Sequence, residues 1–441
     1  MKKFKLLGTL IILFAVTGCY DGNEPNDYAY VVAIGVDKAE DEGEYEISIQ
    51  FAKPTQISGG GSEEGGSGGE TLGLVTVKAP TVYTGINIAN NIVSKRFQLS
   101  HTKIVVVSEE IARGGIRGII DTIVRSNDLR PNMYIAVARE SAKEYLASVE
   151  PEMEINPVKY YQLIFENEAA EFVPKNVSQN VYFYTESKER EVVLPVVSKS
   201  KEDKKKSQDK EGGGESGGGK SEGNDAQKEN IEIPETGAKS NSMGFEYMLK
   251  EYIAGNVEAN KKNKSEAIGM AIFDGDRMVG EMNEIETELY NIINGGFESN
   301  YNTFYNDEFP QRPMVMSVRQ YRPPAARVRI VNGNPKIFVK ISMEGSLISV
   351  EGDVIVEEDI YNYEEKIEKY IEDAAVKFLN RTSKEFGTDI MGFGTKARKN
   401  FADYSEFLKY EWKDAYKRAE FKVDVDFTIR RTGLIIKNSG K

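Results

Sequence analysis

The chain has 441 residues, 29% of them charged and 40% hydrophobic, with a formal net charge of -13. That length points to two or three domains, and so acidic a body is excluded as a reader of nucleic-acid phosphates. A single cysteine and a single histidine exclude an internal disulfide, CxxC zinc sites and any centre needing two histidines, so no metal and no cofactor is expected.

In chain order, Lys2, Lys3 and Lys5 give a positive start and Leu6 to Val16 is an apolar run. That run is too short for a bilayer span, which needs about 20 residues, and fits the core of a signal peptide. The order Val16-Thr17-Gly18-Cys19 resembles a bacterial lipobox. It implies cleavage between Gly18 and Cys19 and a diacylglyceryl group on the Cys19 thiol, and two acyl chains anchor stably where one binds reversibly. No stretch after Cys19 is long and apolar enough to span a membrane as a helix.

Tyr28 to Val36 reads as a buried strand, and Tyr45, Ile47, Ile49 and Phe51 alternate with polar residues, so the two are expected to pair as a hairpin. Ser58 to Gly69 is a glycine-rich loop. It lacks a lysine and holds Glu63 and Glu64, which argues against a phosphate cradle. Val82 to Phe97 is expected as a helix, Ile104 to Val107 as a strand, Glu109 to Arg125 as a helix and Met133 to Ala138 as a strand. Lys199 to Ser242 has no aromatic residue and is expected to be a linker. Beyond it come a hairpin over Ala267 to Glu281 turning at Asp274-Gly275, a helix over Glu284 to Ile293, and strands between Val315 and Val356 broken at Asn332-Gly333. A helix then carries Tyr363, Ile367, Ile371 and Phe378 on its apolar stripe, with Glu364, Glu368 and Glu372 on the face assigned to solvent. Phe401 to Arg418 is expected as a helix bearing the sole tryptophan, Trp412, and Phe421 to Ile429 as an alternating strand.

The expected fold class is α+β: a multidomain, mixed α/β chain with antiparallel or mixed sheets packed by helices and a lipid-anchored N-terminus. The expected divisions are 1–18 (signal peptide), 19–198 (N-terminal α/β domain), 199–243 (flexible charged linker), 244–325 (middle domain) and 326–441 (C-terminal α/β domain).

Several segments resemble one family. Cys19-Tyr20-Asp21 followed by Tyr30 to Asp37 (YVVAIGVD) is similar to the start of the Ger(x)C spore germination lipoproteins, with Tyr20 where that family has tryptophan. Leu99 to Val106, Arg125 to Ala138, Val193 to Val196, Ala271 to Gly280 and Phe386 to Gly394 resemble further blocks of that family in the same order. The resemblance implies the C subunit of a nutrient germinant receptor on the outer face of the inner spore membrane. Such a subunit assembles with integral membrane A and B subunits and has no catalytic role.

His101 precedes an apolar strand, and a ring bonded to nearby backbone is the expectation. Gly392 to Gly394 is expected as a tight turn held by Asp389. A solute-binding lipoprotein of a transporter is the alternative function; it predicts a hinged cleft. A surface hydrolase would need a cluster of perturbed groups in one pocket.

Overall fold

The computed structural model describes residues 27–53, 71–151, 154, 156–166, 171–200, 252–257, 262–306, 309–350 and 360–431. Gly18, Cys19 and the signal peptide, the glycine-rich loop at 58–69 and the stretch 201–250 lie outside the described residues.

The first sheet is mixed. Strands β1 (Tyr28–Lys38), β2 (Tyr45–Ala52) and β3 (Leu72–Ala79) form an antiparallel meander, and the expected β1–β2 hairpin is present. β4 (Arg96–Gln98) and β5 (Ile104–Ser108) run parallel to β1, followed across the sheet by β6 (Tyr134–Ala138) and β7 (Val193–Lys199), also parallel. β8 (Ser265–Asp274) and β9 (Arg277–Met282) close the sheet antiparallel. Helices cover both faces. On one face lie α1 (Val82–Asn90), α2 (Glu109–Gly114), α3 (Arg117–Arg125) and, further along the chain, a helix at Ser178–Thr185; Ile86, Ile120 and Val181 share their core with Ile34 and Val105. On the other face lie α4 (Ala142–Ser148) and α5 (Pro157–Glu166), whose Leu146 and Phe165 pack with Val32 and Ile104. Coverage on both sides explains why the parallel strands read as unbroken Val/Ile/Ala runs.

Two residues of the Tyr30-to-Asp37 segment have direct structural causes. A Cβ at Gly35 would lie 3.0 Å from Leu146 and 3.2 Å from Ala142, so the bare backbone lets α4 seat on β1. Asp37, at the end of β1, accepts the N–H groups of Ala142 (2.7 Å) and Lys143 (2.9 Å). It thereby binds two of the free donors that every helix start presents.

Two expected helices are shorter than their sequence patterns. The run at 109–125 divides into α2 and α3 because Gly115 sits at φ +120°, outside helical geometry. The run at 82–97 ends at Asn90, and Phe97 turns into β4, where Asn90 Oδ1 receives its N–H.

The helix at Ser178–Thr185 is α6. Next, α7 (Glu284–Asn294) begins with a capping box, Asn283 against Glu286, and ends at Gly295 in the left-handed region. The second sheet has the order β10 (Ser299–Asn306), β11 (Phe309–Val331), β12 (Asn334–Val350), β13 (Glu420–Arg431). The first three strands are antiparallel, with Asn332 and Gly333 at φ +52° and +78° in the β11–β12 turn; β13 runs parallel to β12. Between β12 and β13 the chain forms α8 (Ile360–Asn380), continued by one π-helical turn at Arg381–Phe386. Ile367, Ile371 and Phe378 of α8 pack with Leu289 of α7 against Val339, Ile341 and Val425. The expected helix at 401–418 is two short ones, α10 (Tyr404–Lys409) and α11 (Trp412–Tyr416), preceded by α9 (Phe393–Ala397); Glu411, at φ +54°, separates α10 from α11.

The expected middle domain at 244–325 has no sheet of its own among the described residues. β8 and β9 complete the first sheet, while β10 and most of β11 build the second. Strand pairing across a long intervening segment, β7 with β8, leaves no mark on local periodicity. Lys199 ends β7, and Ser200 donates to Glu266 at 2.5 Å.

β13 is an edge strand, and α8 guards it. Glu364, Glu368 and Glu372 accept the backbone N–H groups of Ile429 (2.7 Å), Phe427 (2.9 Å) and Val425 (3.2 Å). Four helical residues advance about 6.0 Å and two strand residues about 6.6 Å. Alternate donors on the strand therefore meet successive glutamates on the helix.

Candidate functional site

The end of the first sheet and the helices under the second meet at a junction built around Asp389. Asp389 Oδ2 accepts the N–H of Gly394 (2.7 Å) and the indole Nε1–H of Trp412 (2.9 Å). The expected turn at Gly392 to Gly394 is there, with Gly392 at φ +71° and Asp389 as its internal acceptor. Burial pushes the Asp389 carboxyl up to about 6, against the opposing pull of the Gly394 and Phe393 N–H groups, the Trp412 donor and the Arg190 charge.

The segment before β7 supplies the other half. Glu191 donates its backbone N–H to Asp389 O (2.9 Å), and its side chain accepts the Gly275 N–H (2.8 Å) at the β8–β9 turn. Lys413 of α11 bridges Glu191 (3.3 Å) and Asp274. Arg190 donates to Tyr290 Oη (2.9 Å) and Asn294 Oδ1 (3.0 Å) of α7 and lies over the Tyr184 ring. Arg398 pairs with Glu189 at 2.9 Å. The contact is close enough to forbid side chains. A Cβ on Gly394 would lie 2.6 Å from Glu189 O, and one on Gly280 would lie 2.2 Å from the Phe386 ring.

A second buried carboxyl belongs to α7 itself. Glu288 is 6% exposed and accepts from Asn302 (2.8 Å) and Asn300 (3.2 Å). Burial pushes its carboxyl up to about 7. It borders a cavity of about 40 Å³ lined by Leu289, Ile292, Phe304, Met343 and Ile371, the size of a water or a methyl group.

His101 is not at the junction. It ends a short 3₁₀ turn, is exposed, and meets the Tyr30 ring edge-on at 5.2 Å; its ring makes no bond to backbone among the described residues. Partial burial, with Arg130 and Lys103 nearby, lowers its pKa. Chemically the junction offers bonded carboxylates and cations without an adjacent nucleophile, and among the described residues no group of three or more His, Cys, Asp or Glu is placed to hold a metal ion. It joins the end of the first sheet to the helices under the second. Sequence reading identified Asp389 and its glycines but not Glu189, Arg190 or Glu191, because a charged triplet before a strand looks like any solvated loop.

Two family models match the chain. "Spore germination protein N-terminal domain" covers residues 21–199, and "Spore germination B3/GerAC like, C-terminal" covers residues 268–433. Spore germination protein KC of Bacillus subtilis (strain 168) is 23% identical over 97% of this chain and 96% of its own length. Spore germination protein B3 of the same organism is 18% identical over 99% of both chains. The crystal structure of the GerBC protein aligns with a TM-score of 0.49 at 15% identity, covering 90% of this chain and 96% of that one.

Proposed function

This chain belongs to the GerAC-like spore germination family, and from that premise we propose that it is the lipid-anchored C subunit of a spore nutrient germinant receptor. It acts by assembly with membrane A and B subunits and catalyses no reaction. Its place is the outer face of the inner spore membrane, held by acyl chains on Cys19. The observation that carries this reading is the pair of family models, which together span both sheets and begin at residue 21, two residues after the only cysteine. The junction supports it further. A buried, many-bonded contact around Asp389 suits a rigid docking body, whereas a solute-binding lipoprotein needs two lobes that hinge.

The test is recovery of the tagged native protein from detergent-solubilised spore membranes. Two multi-spanning membrane proteins in the eluate support the reading; components of a transporter ATPase overturn it. Cys19→Ala separately tests the anchor. The variant is expected in the soluble fraction after a high-salt wash, and its retention in the membrane pellet refutes lipid attachment.

A further inference from the structure

One face of the second sheet is packed by α7 and α8; the other is exposed and carries a patch whose charge opposes that of the chain. In cross-strand register, Arg327 of β11, Phe338 of β12 and Lys422 of β13 form one row. The adjacent row holds Arg329, Lys336 and Glu420. Val331 follows on the same face beside the β11–β12 turn. Glu420 is paired with Lys336 at 3.0 Å, and Asp424, in the row on the other side of Phe338, with Lys340 at 3.3 Å; among the described residues Arg327, Arg329 and Lys422 have no carboxylate partner within ion-pair distance. Phe338 and Val331 are each 39% exposed, in the midst of those cations. An exposed phenyl ring among five cations and only two carboxylates, Glu420 and Asp424, in a protein of net charge -13, is not explained by solubility or by folding.

We propose that this end of the second sheet docks flat on an anionic lipid surface. The cations meet headgroup phosphates, and Phe338 and Val331 enter the interfacial region. A sheet face presents its charges as a two-dimensional grid about 4.8 Å apart across strands, which suits a plane of headgroups better than a single extended acidic segment. The net acidity of the chain does not oppose the contact. Screening confines each charge to about 8–10 Å at physiological salt, so headgroups touching this face respond to the local cations. The inference extends the membrane attachment proposed above: the anchor would hold the chain near the bilayer and this face would orient it. The test below makes the two separable.

The mature chain, residues 19–441 with Cys19→Ser, is made without its leader and tethered through a C-terminal histidine tag to vesicles containing a trace of nickel-chelating lipid. Membrane proximity is then independent of acylation. Val331→Cys carries a polarity-sensitive fluorophore. Phosphatidylcholine vesicles with and without about a third phosphatidylglycerol are compared. A blue shift is expected with phosphatidylglycerol alone, and is lost in Arg327→Glu/Lys422→Glu and in 0.5 M salt. Untethered, Arg327→Ala/Lys422→Ala is expected to partition onto the anionic vesicles about thirtyfold more weakly, while Arg327→Lys partitions like the parent. Equal emission on both vesicle types, or a shift that survives charge reversal, overturns the proposal. So does a shift produced by soluble polyglutamate and not by phosphatidylglycerol, which would assign the face to an acidic protein segment.

Discussion

Removing one tooth of the glutamate comb, by Glu368→Ala, deprives the Phe427 N–H of its acceptor at 2.9 Å. A hydrogen bond to a charged group contributes about 1.5–3 kcal/mol when well enclosed. Glu368 is half-buried, and a freed edge N–H can take water, so the lower bound is further discounted to about 1 kcal/mol. The triple variant at 364, 368 and 372 is expected to lose about 3 kcal/mol, with departures from additivity because all three serve one strand. The assay is urea unfolding of the full chain followed by Trp412, the sole tryptophan, which is buried in the same unit. Glu365→Ala, an exposed neighbour on α8, is the control and should cost less than about 0.5 kcal/mol. Glu368→Gln keeps an oxygen acceptor and should lie between the two. The triple variant should also self-associate in sedimentation, because it bares an unpaired strand edge. If Glu368→Ala unfolds at the same urea concentration as Glu365→Ala, the carboxylates are bystanders and the reasoning fails.

Glu288 gives a pH dependence of definite sign. Its folded pKa of about 7 lies above the ordinary value of 4.5, so between those limits the folded chain holds a proton that the unfolded chain has released. Stability from this group therefore falls as pH rises through that window, by about 3 kcal/mol in total at about 1.4 kcal/mol per pH unit. Glu288→Gln should flatten the dependence, measured as urea midpoints from pH 4.5 to 8, and equal midpoint profiles for the two chains would refute it. Gly394→Ala should destabilise by about 2–3 kcal/mol, because its methyl meets Glu189 backbone that cannot yield. Gly118→Ala, in α3 with open space around it, should instead stabilise by about 0.5–1 kcal/mol, both changes being read by the same urea unfolding.

How far this fold was legible depended on whether the cause was local. β1, β2 and β13 followed from alternation or from β-branched runs, and α8 from its stripe at Tyr363, Ile367 and Ile371, all of which are local signals. The division of 109–125 was visible as Gly114-Gly115, but only the positive φ at Gly115 shows that the chain bends there. The β8–β9 hairpin turning at Asp274-Gly275 followed from its local pattern, but its place in the first sheet was not legible, because β7, the partner of β8, lies beyond some sixty intervening residues and pairing energy resides in the contact, not in the strand. Glu364, Glu368 and Glu372 were assigned to solvent because repeated glutamates on a helix usually are solvated. Their distinguishing mark is that each directly follows a buried residue of the apolar stripe, which aims them sideways at the sheet edge. At the junction, Asp389 was found through its glycines, whereas Arg190 acquires its meaning only from Tyr290 and Asn294, a hundred residues away.

The match between α8 and β13 works like a vernier, two scales whose graduations nearly coincide. Each step leaves the helix about 0.6 Å short of the strand, so three graduations accumulate about 1.2 Å and a fourth would fall outside hydrogen-bonding tolerance. The chain stops where the scales part. The next positions in either direction are Ile360 and Val376, whose side chains have no oxygen to offer. Adding one residue to either scale would displace every graduation beyond it, so the spacing of these three glutamates tolerates replacement far better than insertion.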